Sequence, residues 1–270
     1  MIPLLGSFLK ENQPSANATS VPNQTLSSAE LAELQSQARG YELVLQREPD
    51  NRTALRGLLD VRLQLGDLKG TLEPLEKLAS LNPEQTDYMV LLAQAKQKIG
   101  DREGAAQAYR TILASKPGDM NALQGLVSLL VQQKRPEAAI GLLEDTLKIS
   151  TQVNQNQPAS VDVASVQLLL AQVYFNEQRY AEAIAIYDEA IKSNIQDFRP
   201  VLAKALVLQQ LGKSVEAKPL FKTAVSLAPA QYKDQIKQMA KVTAATPTPT
   251  SSPSITPSSS PAVGTPSPSR

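Results

Sequence analysis

The stretch Tyr180-Ala181-Glu182-Ala183-Ile184-Ala185-Ile186-Tyr187-Asp188-Glu189-Ala190-Ile191 decides the fold. Ala183, Tyr187 and Ala190 recur at helical spacing, so small, large and small side chains share one face. A small residue opposite a large one is how neighbouring helices interlock. The same pairing returns along the chain as Ala105 with Tyr109, Ala139 with Leu143, and Ala217 with Phe221.

Working outward, a fixed period appears. Pro49, Pro83 and Pro117 stand at equal intervals, each closing a helical pattern before polar residues able to cap the next helix. Ile195 and Pro229 resume that spacing. Within each period two helical stretches flank a short break, plainest at Gly66-Asp67, Gly100-Asp101 and Gly212-Lys213, where glycine supplies a helix C-cap at low steric cost. A repeat of this length built from helix pairs predicts a solenoid.

With Ala171, Tyr174, Tyr180, Ala183, Tyr187 and Ala190 on its signature positions, the chain resembles the tetratricopeptide repeat family. The resemblance covers about residues 28 to 242: a leading single helix, five repeats starting near Arg52, Thr86, Met120, Ala164 and Phe198, and a closing helix. It implies an all-α, right-handed superhelical solenoid over 27–242. Ser27 and Glu30 fit a capping box at its start, and Leu34, Ala38, Tyr41 and Leu45 form the buried stripe of the leading helix. Tyr232, Ile236 and Met239 mark the closing helix, with Lys233, Lys237 and Lys241 outside, suited to sealing the last apolar face.

Some positions depart from the pattern. Lys134 and Arg135 stand where the Gly break belongs, and Thr151 stands where proline closes other units. The polar stretch Gln152 to Asp162 then predicts a protruding loop. Pro74 and Pro219 lie inside second helices, near enough to their starts that the missing donors are expected among those already unpaired.

Both ends are expected to lie outside the solenoid. Residues 1–26 form an arm whose first nine residues are apolar, too short to span a bilayer that needs roughly 20. It reads either as a frayed terminus or as the end of a membrane anchor, leaving the location cytoplasmic or membrane-associated. Residues 243–270 are rich in Pro, Ser and Thr, with Arg270 the sole charge, and are predicted to be extended and disordered. Such an arm and tail resemble those of membrane-associated bacterial and cyanobacterial members of the family, some of whose plastid relatives assist photosynthetic complexes.

The chain contains no Cys, His or Trp, which excludes disulfides, the usual zinc sites and every His-based catalytic constellation. No enzyme, cofactor or metal function is expected. Twenty-seven basic residues against 26 acidic ones give a formal charge of +1, so no general field draws nucleic acid or anionic lipid. The acidic pairs Glu144-Asp145 and Asp188-Glu189 lie in helices without turn chemistry to converge oxygens on a cation.

Binding is left. In the family, first helices line a concave groove for an extended peptide or an amphipathic partner helix. The resemblance carries the lining onto Thr53, Arg56 and Asp60 in the first unit, Asp87, Val90, Gln94 and Gln97 in the second, and Asn121, Gln124, Ser128 and Val131 in the third. Ser165, Leu168, Gln172 and Phe175 follow in the fourth unit, and Arg199, Leu202, Leu206 and Gln209 in the fifth. This lining is amide-rich at the centre and apolar toward the C-terminal end, which predicts a protein partner, with no nucleic acid and no small-molecule substrate. The alternative is that Phe175, Leu202 and Leu206 are core residues. The Lys and Asn set with which co-chaperone members grip a C-terminal carboxylate is not reproduced. The role implied is that of a scaffold, adaptor or assembly factor. A regulatory subunit positioning an enzyme and a structural repeat protein of the cell envelope are the alternatives.

Overall fold

The computed structural model describes residues 27–241; the arm and the tail read from the sequence lie outside them. Among the described residues twelve helices follow one another: α1 (Ser28–Arg47), α2 (Arg52–Gln64), α3 (Leu72–Leu81), α4 (Thr86–Lys98), α5 (Arg102–Ser115) and α6 (Met120–Gln132) come first. Then come α7 (Pro136–Asn156), α8 (Val163–Asn176), α9 (Tyr180–Ser193), α10 (Phe198–Gln210), α11 (Ser214–Leu227) and α12 (Ala230–Lys241). No strand occurs among the described residues. The order is one leading helix, five helix pairs and a closing helix, an all-α solenoid.

Local chemistry sets the helix boundaries. The Ser27–Glu30 capping box forms in both directions, with Ser27 Oγ accepting from the Glu30 N–H and Glu30 Oε2 accepting from the Ser27 N–H. Asn51, Asp119, Asp162 and Asp197 cap the first helices of four units by accepting backbone N–H groups. All five breaks between paired helices close in the same way. In each, the residue of positive φ donates to the carbonyl three residues back, and the next residue donates to the carbonyl five back, as with Gly100 to Gln97 and Asp101 to Lys96. Gly66, Gly100 and Gly212 take this left-handed conformation at φ 70°, 91° and 76°, whereas Lys134 and Gln178 take it at 59° and 60° despite carrying side chains. Fold geometry thus prevails over residue preference at two of the five breaks.

Helices adjacent in sequence pack against each other throughout, and first helices also touch across units: α4 against α6, α6 against α8, and α8 against α10. No pair of second helices makes comparable contact among the described residues. The first helices therefore crowd on one side, the inner side of a curved stack. Tyr109 and Tyr187 are among the largest fully buried side chains, and burial raises the pKa of both hydroxyls. The Tyr109 ring lies over Gly125 on α6 and the Tyr41 ring over Gly57 on α2, so closely that a Cβ would fall 2.2 Å and 2.3 Å from ring carbon. Ala203 occupies the same place in sequence relative to Tyr187 as Gly125 does to Tyr109, and it is fully buried.

Two sequence expectations are corrected here. The protruding loop does not exist, because α7 continues through Thr151 to Asn156 and Val153 packs onto the main core. What remains, 157–162, is clasped: the Asn154 amide donates to the Val161 carbonyl at 2.9 Å and accepts the Val161 N–H at 2.9 Å. This segment lies on the turn before α6, where a Cβ on Gly118 would meet the Ser160 carbonyl oxygen at 2.0 Å. Pro74 sits in the first turn of α3 as expected, but Pro219 lies inside α11, beyond the Ala217 N–H that already bonds Lys213. Pro219 has no N–H to donate to the Val215 carbonyl, so one intrahelical bond is missing at a place where Val215 is 85% exposed and solvent can reach the backbone.

Candidate peptide-binding face

The residues assigned to the groove occupy one register of the first helices, and their exposure changes along the stack. On α2, Thr53, Arg56 and Asp60 are exposed. On α4, Asp87 and Gln94 are exposed, Gln97 is half-buried and Val90 is buried. On α6, Ser128 is exposed while Asn121, Gln124 and Val131 are half-buried. On α8 only Gln172 keeps partial exposure, and on α10 only Arg199 and Gln209 do.

Leu168, Phe175, Leu202 and Leu206 are 5%, 9%, 1% and 9% exposed, and Ser165 is 4% exposed. The expected apolar C-terminal end of the groove is therefore interior. The cause is the direct packing of α8 against α10 and of α12 onto the end of the stack. Leu202 and Leu206 share a core cluster with Ile236 and Met239 of α12, the Phe198 and Tyr232 rings stack at 5.7 Å, and the Gln209 amide donates to the Met239 carbonyl at 3.2 Å. Phe175 packs on Tyr180 with ring centroids 5.4 Å apart.

Lateral links join the exposed part of the register from unit to unit. The Arg56 guanidinium donates to Tyr88 Oη at 2.8 Å and lies 6.0 Å from the ring centroid, bridging α2 and α4. Gln97 donates to Gln132 Oε1 at 3.2 Å, and Gln132 donates to Ser128 Oγ at 3.1 Å, bridging α4 and α6. Thr86 donates to Asp119 at 2.6 Å between the same helices. Arg199 is committed: it donates to Asp197 at 2.7 Å and to Ser165 Oγ at 2.9 Å, with Asp162 at 3.6 Å. Its hydrogen bonds to Asp197 raise its pKa first, against partial desolvation. Its charge holds α10 to α8 and is neutralised there.

The opposite side is occupied by structural pairs. Tyr174 Oη donates to Glu144 at 3.0 Å under the Arg179 guanidinium, which sits 4.5 Å from the ring centroid and pairs with Glu137 and Glu182 at 3.0 Å and 2.9 Å. Asp145 pairs with Lys148 and Asp188 with Lys204, so these acids are engaged with neighbouring cations. Among the described residues no cluster of three or more acidic side chains converges as a metal site.

What the first helices offer is thus a row of side-chain amides and hydroxyls: Gln94, Gln97, Asn121, Gln124, Ser128, Gln132 and Gln172. Such groups both donate and accept, as an extended peptide backbone requires. Three participants were not read from the sequence. Tyr88 and Gln132 lie off the assigned register and carry no pattern of their own. Leu63 lies on it, one full repeat before Gln97, and is 48% exposed; continuing the register one step back would have found it. The apolar contact of this face is therefore at its N-terminal end.

Fold and face together define a helical-repeat scaffold. A profile of the tetratricopeptide repeat family matches residues 36–230, and the chain belongs to that family. It is similar to protein SLOW GREEN 1, chloroplastic, of Arabidopsis thaliana, with 28% identity over 189 residues, 70% of this chain and 58% of that protein. It is also similar to Cellulose synthase operon protein C of Pseudomonas fluorescens, 36% identical over 64 residues, 24% of this chain and 5% of that protein. The chain thus spans less than two thirds of the length of either relative. Among solved structures, MamA protein is 20% identical with a TM-score of 0.43, over 68% of this chain and 94% of that one. No helix among the described residues is long and apolar enough to cross a membrane.

Proposed function

We propose that this chain is a non-catalytic adaptor or assembly scaffold that holds an extended peptide or a partner's helix along the inner face of α4, α6 and α8. The observation that carries the reading is the row of amides, running over three successive first helices and tied laterally through Gln97 and Gln132. Amides aligned across repeats can bond a peptide main chain whatever its side chains, while Leu63 and the Arg56–Tyr88 pair add a short apolar and cationic end. The absence of His and Cys supports the non-catalytic reading.

The test begins with affinity capture of the full-length protein from membrane and soluble fractions of its native cells. The affinity of the captured partner is then measured for Gln94→Ala/Gln124→Ala/Gln172→Ala. Three lost hydrogen bonds at about 1 kcal/mol each predict a loss of about a hundredfold, with unchanged thermal midpoint. Unaltered affinity would dismiss the face. Leu202→Ala serves as contrast: its cavity costs about 2–5 kcal/mol, and the fraction still folded binds as before. A defined complex recovered from membranes favours an assembly factor, and one stoichiometric enzyme from the soluble fraction favours a regulatory subunit.

A further inference from the structure

The closing joint of the solenoid differs from the others. In earlier units each first helix is covered by its own second helix, as α9 covers α8 and α11 covers α10. No such helix follows α12 among the described residues. Lys237 stands to Phe221 in sequence as Gly57 does to Tyr41 and Gly125 to Tyr109. The position that is glycine in those two joints is lysine here. A cleft of about 650 Å³ opens between α11 and α12, lined by Pro219, Phe221, Val225 and Ala240 and bordered by Lys218, Lys222, Lys237 and Lys241.

The four lysines form two rails. Lys218 and Lys222 are one turn apart on α11, and Lys237 and Lys241 are one turn apart on α12. Lys237 pairs with Asp234 at 2.9 Å, and Glu216 on α11 faces Lys213 at 3.7 Å. Lys218, Lys222 and Lys241 form no ion pair among the described residues, so positive charge on both sides of an apolar floor is uncompensated. We propose that this cleft is a second docking site, independent of the inner face, which takes an amphipathic helix of a partner protein whose apolar stripe is flanked on both sides by Glu or Asp.

Shape and charge select that occupant. Each earlier first helix is packed by the second helix that follows it, and among the described residues none packs on α12, so a helix is the shape that matches this joint. The chain's own residues 242–270 contain no acidic side chain, so they do not supply the complementary charge. A second copy docked about a two-fold axis would bring these lysines against their own equivalents. An acid-flanked helix places carboxylates along both rails while its apolar residues cover Pro219, Val225 and Ala240.

The probe is a fluorescent synthetic helix of about 18 residues with leucine along one face and glutamate on both flanks, titrated against the full chain by anisotropy. Binding that weakens with salt is expected, about tenfold weaker for Lys218→Glu/Lys241→Glu and for the cleft-filling Ala240→Trp, with unchanged helicity. The Gln94→Ala/Gln124→Ala/Gln172→Ala variant should bind the probe as the unaltered chain does, which separates this site from the inner face. Equal affinity for a probe with lysine in place of glutamate, or no effect of the charge reversal, overturns the proposal. Binding to phosphatidylglycerol vesicles through the same lysines, without binding of the peptide, assigns the cleft to a membrane surface and overturns it as well.

Discussion

Replacing Gly125 by alanine puts a methyl group 2.2 Å from Cζ, 2.4 Å from Cε1 and 2.6 Å from Oη of Tyr109. In an exposed helix the substitution stabilises by roughly 0.5–1 kcal/mol, because glycine has more backbone freedom to lose. Here the ring is 1% exposed and cannot swing into solvent, so the overlap must be relieved by separating α5 from α6. Overpacking of one methyl group in a filled core costs about 1–3 kcal/mol, which exceeds the propensity gain. The net expectation is a destabilisation of about 1–2 kcal/mol, or several degrees in the thermal midpoint at about 2–4 °C per kcal/mol. Gly141→Ala is the internal control: it lies in α7 with nothing within 4 Å of its Cβ, and should raise the midpoint. Both variants are read by circular dichroism melting, together with Gly125→Ala/Tyr109→Leu, in which the smaller side chain should recover part of the loss. A Gly125→Ala variant as stable as the original chain would refute the view that ring-on-glycine contacts set the spacing of the repeats.

Other outcomes follow from the breaks and from the titrating groups. Lys134→Gly and Gln178→Gly remove side chains from left-handed positions, and each should stabilise by about 0.5–1 kcal/mol; a lower melting midpoint for both would contradict the reading. Stability should be level between about pH 6 and 9, since no histidine is present to titrate there. Below that range Glu30, lowered first by the Ser27 backbone N–H, Glu182, lowered by Arg179, and Asp234, lowered by Lys237, lose contributions that are complete above the unfolded carboxylate pKa. Above it, burial raises the pKa of Tyr109 and Tyr187, so their contribution holds below the ordinary tyrosine value and fades as pH rises past it. A step in the melting midpoint near pH 6.5 would count against this assignment.

The architecture was legible because each signal is local and repeats: closing prolines, Gly breaks and small-large pairs each report on one helix joint. Repeat starts at Arg52, Thr86, Met120 and Phe198 coincide with observed helix starts, and the fourth differs by one residue, Val163 for Ala164. The inner face was legible only where neighbouring first helices leave room. Register alone cannot tell Gln94 from Phe175, because the difference lies in how closely the next helix approaches. One signal was available: α8 reads Val163-Ala164-Ser165-Val166-Gln167-Leu168-Leu169-Leu170-Ala171-Gln172-Val173-Tyr174-Phe175-Asn176, apolar nearly all round, and such a helix is buried. The loop after Thr151 was misread because Gln and Asn tolerate helix as well as turn, and the Asn154–Val161 clasp is invisible to periodicity.

The close seating of Ser160 on Gly118 changes how the array carries load. A stack in which each unit grips only its neighbours unzips under tension from either end, one repeat at a time. This contact reaches past α6 and α7 to tie the turn before the third repeat to the segment after it, beside the core cluster that runs from α4 to α10. Stretched between its termini in an optical trap, the chain should shed its outer helices in small increments and then lose the middle in one larger rupture. A staircase of equal increments would mean that the tie bears no force.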